Sequence, residues 1–282
     1  MRSNFARNIK KIKIDIRKEY DKLYQIYTEE WNTDVLNREY SFEMIFYEHF
    51  NEYPFADTCL TLDEFNEECG YNFDENPQNF NIDYLINFCE YFYNLLVWLP
   101  HKFYERYDFY MYDNSFVMQH ILKVIESVGY MQAKEDEFTI FVEKDAVVTT
   151  VASVLPEEMS YKIISYNHHS MRGDVEAKKA ILLALANQLE PQEKKLSQID
   201  ATFKSELFFA FNNLNIRHNN TDPVDKRYYN MAVADMSEEE LEHWYDETYQ
   251  MCLLAFLRLE HIDRKNAISE LKKKIEIKYD NQ

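Results

Sequence analysis

The chain has 282 residues, a formal net charge of −19, and only three glycines and six prolines. So little turn chemistry excludes glycine-rich phosphate loops, and no GxGxxG or GxxxxGKS/T occurs. An acidic balance likewise excludes general DNA binding through a basic footprint, so any nucleic-acid contact is expected to be local.

Phe5, Ile9, Ile12, Ile16, Tyr20, Leu23 and Tyr27 recur at three and four residues and predict a helix over about residues 4–30. Lys10, Lys11, Lys13, Arg17, Lys18 and Lys22 decorate it, giving residues 1–30 a net charge of +3 against −14 for residues 31–113. The basic flank reads as solvated surface or as a contact for RNA, anionic lipid or an acidic protein face. The acidic block reads as solvated surface or as a mimic of DNA. Phe42, Phe46, Tyr47 and Phe50 predict a helix from about Ser41. Thr61-Leu62-Asp63-Glu64 opens a short one, with Gly70 just past its end. Residues 72–79 read as a loop.

Residues 82–99 form a helix that is apolar except for the stripe Asp83, Asn87, Glu90 and Asn94. It is therefore expected to be central, and Pro100 ends it. Asp83 and Glu90 lack a partner histidine and are not expected to bind metal. A helix over Ser115–Val128 stops at Gly129. The alternation Phe138/Ile140/Val142 then predicts a small β-hairpin near residues 130–143. A helix from about Asp145 closes before Pro156. This stretch divides an acidic, aromatic-rich region, residues 1–155, from a second helical region, residues 156–282.

In the second region, Asp174 caps a helix to about Glu190, and Pro191 marks a turn. Leu196, Ile199, Phe203, Leu207, Phe208 and Phe211 predict one helix over about residues 192–214. Residues 223–236 read as a loop, and Ser237-Glu238-Glu239-Glu240 opens a long helix. A separate charged helix is expected over about residues 264–279. Short connections between such helices make an antiparallel bundle, so the fold class is all-α with one minor hairpin.

The chemistry concentrates where the 192–214 helix stops, at Asn215, Arg217, His218, Asn219 and Asn220. Arginine binds phosphate bidentately, histidine moves protons near neutrality, and asparagine orients a substrate or an imidazole. Together they suit metal-free RNA cleavage, with Arg217 and His218 as catalytic candidates and Asn215, Asn219 and Asn220 as substrate contacts. The competing assignment is structural: the asparagines cap the helix end and Arg217 makes a salt bridge. His168, His169 and Arg172 join the candidate set if the helices on either side of Pro191 run antiparallel, which brings residue 172 near residue 217. His243 and Asp246, three apart on the long helix, could pair.

The stretch from about Gly173 to Tyr279 resembles the HEPN superfamily of helical-bundle domains found in prokaryotic abortive-infection and toxin proteins. The resemblance rests on Arg172-Gly173-Asp174 opening a helix, on Leu189-Glu190 near its end, and on the run from Asn212 to Asn220. The family places an arginine four to six residues before a histidine, whereas Arg217 and His218 are adjacent. The resemblance implies a defence or toxin-type protein acting on RNA, with no cofactor and with a homodimer or another protein as partner. The alternative is a non-catalytic helical subunit that binds a protein. Cys59, Cys69, Cys89 and Cys252 show neither CxxC nor zinc-ligand spacing and are expected to be mostly buried and reduced, which fits a cytoplasmic protein. No apolar run reaches the length of a membrane span.

Overall fold

The computed structural model describes residues 14–33, 38–54, 56, 58–99, 114–135 and 137–280. The chain is all-α with a small hairpin, and it divides into two compact units, Met1–Glu143 and Lys144–Gln282. No helix among the described residues is long and apolar enough to cross a membrane.

In the first unit, helix α1 (Ile16–Thr28) is followed by two short antiparallel strands, β1 (Trp31–Thr33) and β2 (Arg38–Tyr40). Three-residue strands leave too little alternation to be read from sequence. The first part of the predicted basic helix, with Lys10, Lys11 and Lys13, lies outside the described residues, as does Pro100. Helix α2 (Phe42–His49) starts at Ser41, whose hydroxyl accepts from Met44 N–H. Helix α3 (Leu62–Glu68) is capped by Thr61, and Gly70 follows at φ +70. There Tyr71 N–H reaches Asn66 O and Gly70 N–H reaches Glu67 O, so a residue free of the left-handed penalty closes the helix.

Helix α4 (Ile82–Trp98) is the axis of this unit, buried on nearly every face. Tyr20 and Tyr27 of α1 meet its Phe88 and Phe92 edge to face, and Phe46 of α2 stacks on Tyr27. Its polar stripe has a structural use. Helix α5 (Asn114–Ser127) leads into strands β3 (Tyr130–Glu135) and β4 (Phe138–Glu143), paired antiparallel with Tyr130 opposite Glu143. Glu90 accepts from Phe141 N–H at 2.6 Å. The Asn94 amide both accepts from Thr139 N–H and donates to Thr139 O, each at 2.8 Å. The stripe thus satisfies the strand edge that would otherwise be buried without partners.

The second unit comprises α6 (Ala146–Ala152), α7 (Glu157–Ser165), α8 (Val175–Leu189), α9 (Glu193–Ile199), α10 (Ala201–Asn213), the single turn α11 (Met231–Ala234) and α12 (Glu238–Asp280). Its core is built from Ile163, Leu182, Leu185, Leu196, Leu207, Phe211, Tyr245, Tyr249 and Cys252. Three expectations are corrected. Helix α6 ends at Ala152, short of Pro156, and Pro156 instead stands at the start of α7, a helix the sequence does not announce. The helix expected over 192–214 breaks at Asp200, whose extended backbone (φ −158, ψ 99) lets its carboxylate cap α10 through Phe203 N–H and bind Arg258. The long and final helices are one, because no glycine or proline follows Pro223 to interrupt them.

Candidate functional site

Helix α10 ends at Asn213, and Asn215 takes φ +57, the left-handed conformation that asparagine tolerates past a helix end. The chain then reverses, with Arg217 N–H bonded to Phe211 O at 3.0 Å. Asn215 and Asn220 are buried and exchange hydrogen bonds. Asn215 N–H donates to the Asn220 side-chain oxygen at 2.8 Å, and Asn220 N–H to that of Asn215 at 3.2 Å. The Asn220 side-chain amide also donates to Asn212 O and Tyr228 O, and the main-chain carbonyl of Asn220 accepts from Asn230 N–H at 2.8 Å. One side chain therefore ties the helix end, the reversal and the following loop together.

Arg217 turns inward. Its side chain is 12% exposed, donates to Ala186 O at 2.8 Å and lies 3.5 Å from the Glu190 carboxylate. Its guanidinium sits over Phe208 and Phe211 at 5.4 and 5.2 Å, and its buried Nε has no hydrogen-bond partner. Asn219 is exposed and accepts from the Thr221 hydroxyl.

His218 turns outward. Its ring stacks on Tyr228 with centroids 3.9 Å apart and planes 8° apart. The Arg227 guanidinium lies 5.0 Å from the centre of the same Tyr228 ring. These groups line an open cleft of about 640 Å³ with Asn212, Asn213 and Tyr229. The loop is pre-formed: Asp222 accepts from Val224 N–H, and Tyr228 and Tyr229 N–H both bond to Asp225 O. Arg227, Tyr228 and Tyr229 were missed by the sequence reading. The available signal was the basic and aromatic run Lys226-Arg227-Tyr228-Tyr229 just past the polar helix stop.

The structure does not bring His168, His169 and Arg172 to this cleft. Arg217 contacts Ala186 and Glu190 at the C-terminal end of α8, whereas residue 172 precedes its N-terminal end, roughly 18 Å away along the helix. After the break at Asp200, α10 ends beside the C-terminal end of α8, away from residue 172. His168 accepts from Ser170 N–H, and its ring lies 4.2 Å from that of His169.

A second polar cluster was not foreseen. Lys178, 5% exposed, places its ammonium 2.7 Å from both Glu242 and Asp246, and Tyr166 donates to Asp246 at 2.8 Å. Asp246 is thus engaged by Lys178 and Tyr166, not paired with His243. Hydrogen bonding by the Lys178 ammonium, and then by Gly173 N–H, holds the Glu242 carboxyl below its usual range, while burial pushes the Tyr166 phenol up. Tyr166 stacks on Tyr249 at 4.0 Å. Every charge here has a partner inside the bundle, which is a fixing arrangement for α7, α8 and α12.

No family model, no curated protein and no solved structure matches the chain.

Proposed function

We propose that this protein acts on RNA at the His218 cleft, as a defence or toxin-type protein of the kind the HEPN resemblance implies. The observation that carries the reading is an imidazole held parallel on Tyr228 in an open cleft, with the Arg227 guanidinium over the same ring. Stacking fixes the His218 ring without consuming its nitrogens. Arg227 is exposed and free to bind phosphate, the role that sequence alone assigns to Arg217. Tyr229 offers an exposed ring for an unpaired base. In the reaction proposed, the 2′-oxygen attacks the adjacent phosphorus as His218 takes its proton. The bond to the 5′ oxygen breaks, and that oxygen receives the proton back as the cyclic phosphate forms.

The test is incubation of the full chain with total and transfer RNA, beside His218→Ala and Arg227→Ala, both of which leave the core intact. Wild type is expected to cleave, with at least a hundredfold loss in His218→Ala. Absence of cleavage, or equal cleavage by all three proteins, removes the reading. The alternative, a non-catalytic helical subunit, is favoured by the commitment of Arg217 and Asn220 to the fold. It predicts no cleavage and a protein that co-purifies.

A further inference from the structure

Helices α10 and α12 each bring carboxylate and large aromatic side chains to one groove. Along α12, Glu240, Trp244, Glu247 and Met251 recur at four, three and four residues and so share one side. Along α10, Glu206, Phe209 and Asn213 do the same at three and four. Together with α11 they line a groove of about 580 Å³, inside the range of roughly 300–1,000 Å³ that small-molecule sites occupy. Phe209 and Trp244 are 63% and 43% exposed, unusual for rings of that size. Glu206, Glu240 and Glu247 are exposed in its lining, and no base lines it. Among the described residues none of these three carboxylates is in an ion pair. The other polar side chains of the lining serve the backbone. Thr248 and Asn213 donate to Trp244 O and Phe209 O, and Asn230 accepts from Ala232 N–H.

We propose that this groove binds a small organic cation with an apolar body, an alkylammonium being the simplest form. The apolar body sits among Phe209, Trp244 and Met251, and the charged head lies among the exposed carboxylates. A cation gains there twice. It meets carboxylates from two helices that have no base of their own, and it meets aromatic rings, whose faces carry negative potential. An anion of the same shape meets three like charges and no base. A neutral ligand of the same shape keeps the apolar contact and loses the attraction of the head. The flexible thioether of Met251 fits bodies of differing outline. Charge and shape thus select the same class of ligand.

The test is calorimetric titration of the full chain with octyltrimethylammonium, kept below micelle-forming concentrations, beside octanol, octanoate and tetramethylammonium. Tryptophan emission is followed in parallel. Octyltrimethylammonium is expected to bind one to one, with a dissociation constant on the order of millimolar or tighter. It is expected to change the emission of wild type but not of Trp244→Phe, because Trp31 and Trp98 belong to the other unit. Octanol is expected to bind roughly tenfold more weakly, and octanoate and tetramethylammonium more weakly still. Glu240→Gln with Glu247→Gln is expected to weaken octyltrimethylammonium roughly fivefold or more. Glu157→Gln with Glu270→Gln makes the same charge change at exposed positions outside the groove and is expected to leave binding unchanged. All four carboxylates are exposed, so helical circular dichroism checks that each variant folds. No saturation by about 10 mM overturns the proposal. So does equal affinity for octanol or octanoate, or an equal loss in both pairs of variants, which marks attachment to an acidic protein at large. Binding is read without RNA, so failure here leaves the reading of the His218 cleft standing.

Discussion

Replacing Asn220 with alanine separates an asparagine that builds the site from one that binds a ligand. The substitution removes three hydrogen bonds made by one side chain: from Asn215 N–H at 2.8 Å, and to Asn212 O and Tyr228 O at 3.2 and 2.7 Å. Asn220 is 2% exposed and Asn215 7%, so water does not readily replace the lost partners. Three bonds at about 1 kcal/mol each, plus the cost of leaving the buried Asn215 N–H unpaired, give a loss of about 3–5 kcal/mol. Denaturant unfolding followed by circular dichroism measures it, with Asn219→Ala as the comparison. Asn219 is exposed and accepts only from the neighbouring Thr221 hydroxyl, so its substitution is expected to cost no more than about 0.5 kcal/mol. A loss in Asn220→Ala as small as that in Asn219→Ala refutes the argument that this side chain holds the helix end, the reversal and the Tyr228 loop together.

The strand edge beside α4 gives a second prediction. Asn94→Ala strands both backbone groups of the buried Thr139 and is expected to cost about 2–4 kcal/mol, read as a shift in the denaturation midpoint at unchanged slope. Acid stability gives a third. The folded Glu242 carboxyl lies below its ordinary value of 4.5, so its contribution is complete above that pH and is lost as pH falls through the folded value. Asp200, lowered by Phe203 N–H and by Arg258, acts in the same sense. Glu242→Gln is expected to flatten the stability profile below pH 4.5, and an unchanged acid limb would contradict the assignment.

Much of the helical framework was legible because its signals are local. Asp174, Ser41 and Thr61 each cap the helix start expected of them, Gly70 closes α3, and α4 is buried nearly all round as its narrow polar stripe implied. The break at Asp200 has a non-local source. Continuous periodicity across Asp200 looked like a single helix, but an aspartate that can cap, with Arg258 available to bind it, makes a break cheap. That partner is 58 residues away, and no window of sequence contains it. Lys178 was hidden for the same reason. A lysine on an amphipathic helix reads as solvated, and only the fold brings Glu242 and Asp246 within 2.7 Å.

The candidate site turns on how a helix end spends its polar groups. Four carbonyls at the end of α10 lack helical partners, and the reversal after it adds amides that need acceptors. Asn215 and Asn220 meet that demand, and Arg217 closes the corner against Ala186 and Glu190. Residues recruited this way are poor ligand binders, because a substrate would have to displace the bonds that shape the site. A reaction at this corner therefore falls to groups that shape does not use. His218 is positioned by an aromatic face and not by its nitrogens, and Arg227 projects from the loop that Asn220 anchors through Tyr228. The polar cluster visible in the sequence thus divides by residue into side chains that build the helix end and side chains that line the cleft. Substitution of Asn220 is expected to act on stability first and on the cleft only through it, whereas His218→Ala is expected to remove the stack on Tyr228 and leave the buried core in place.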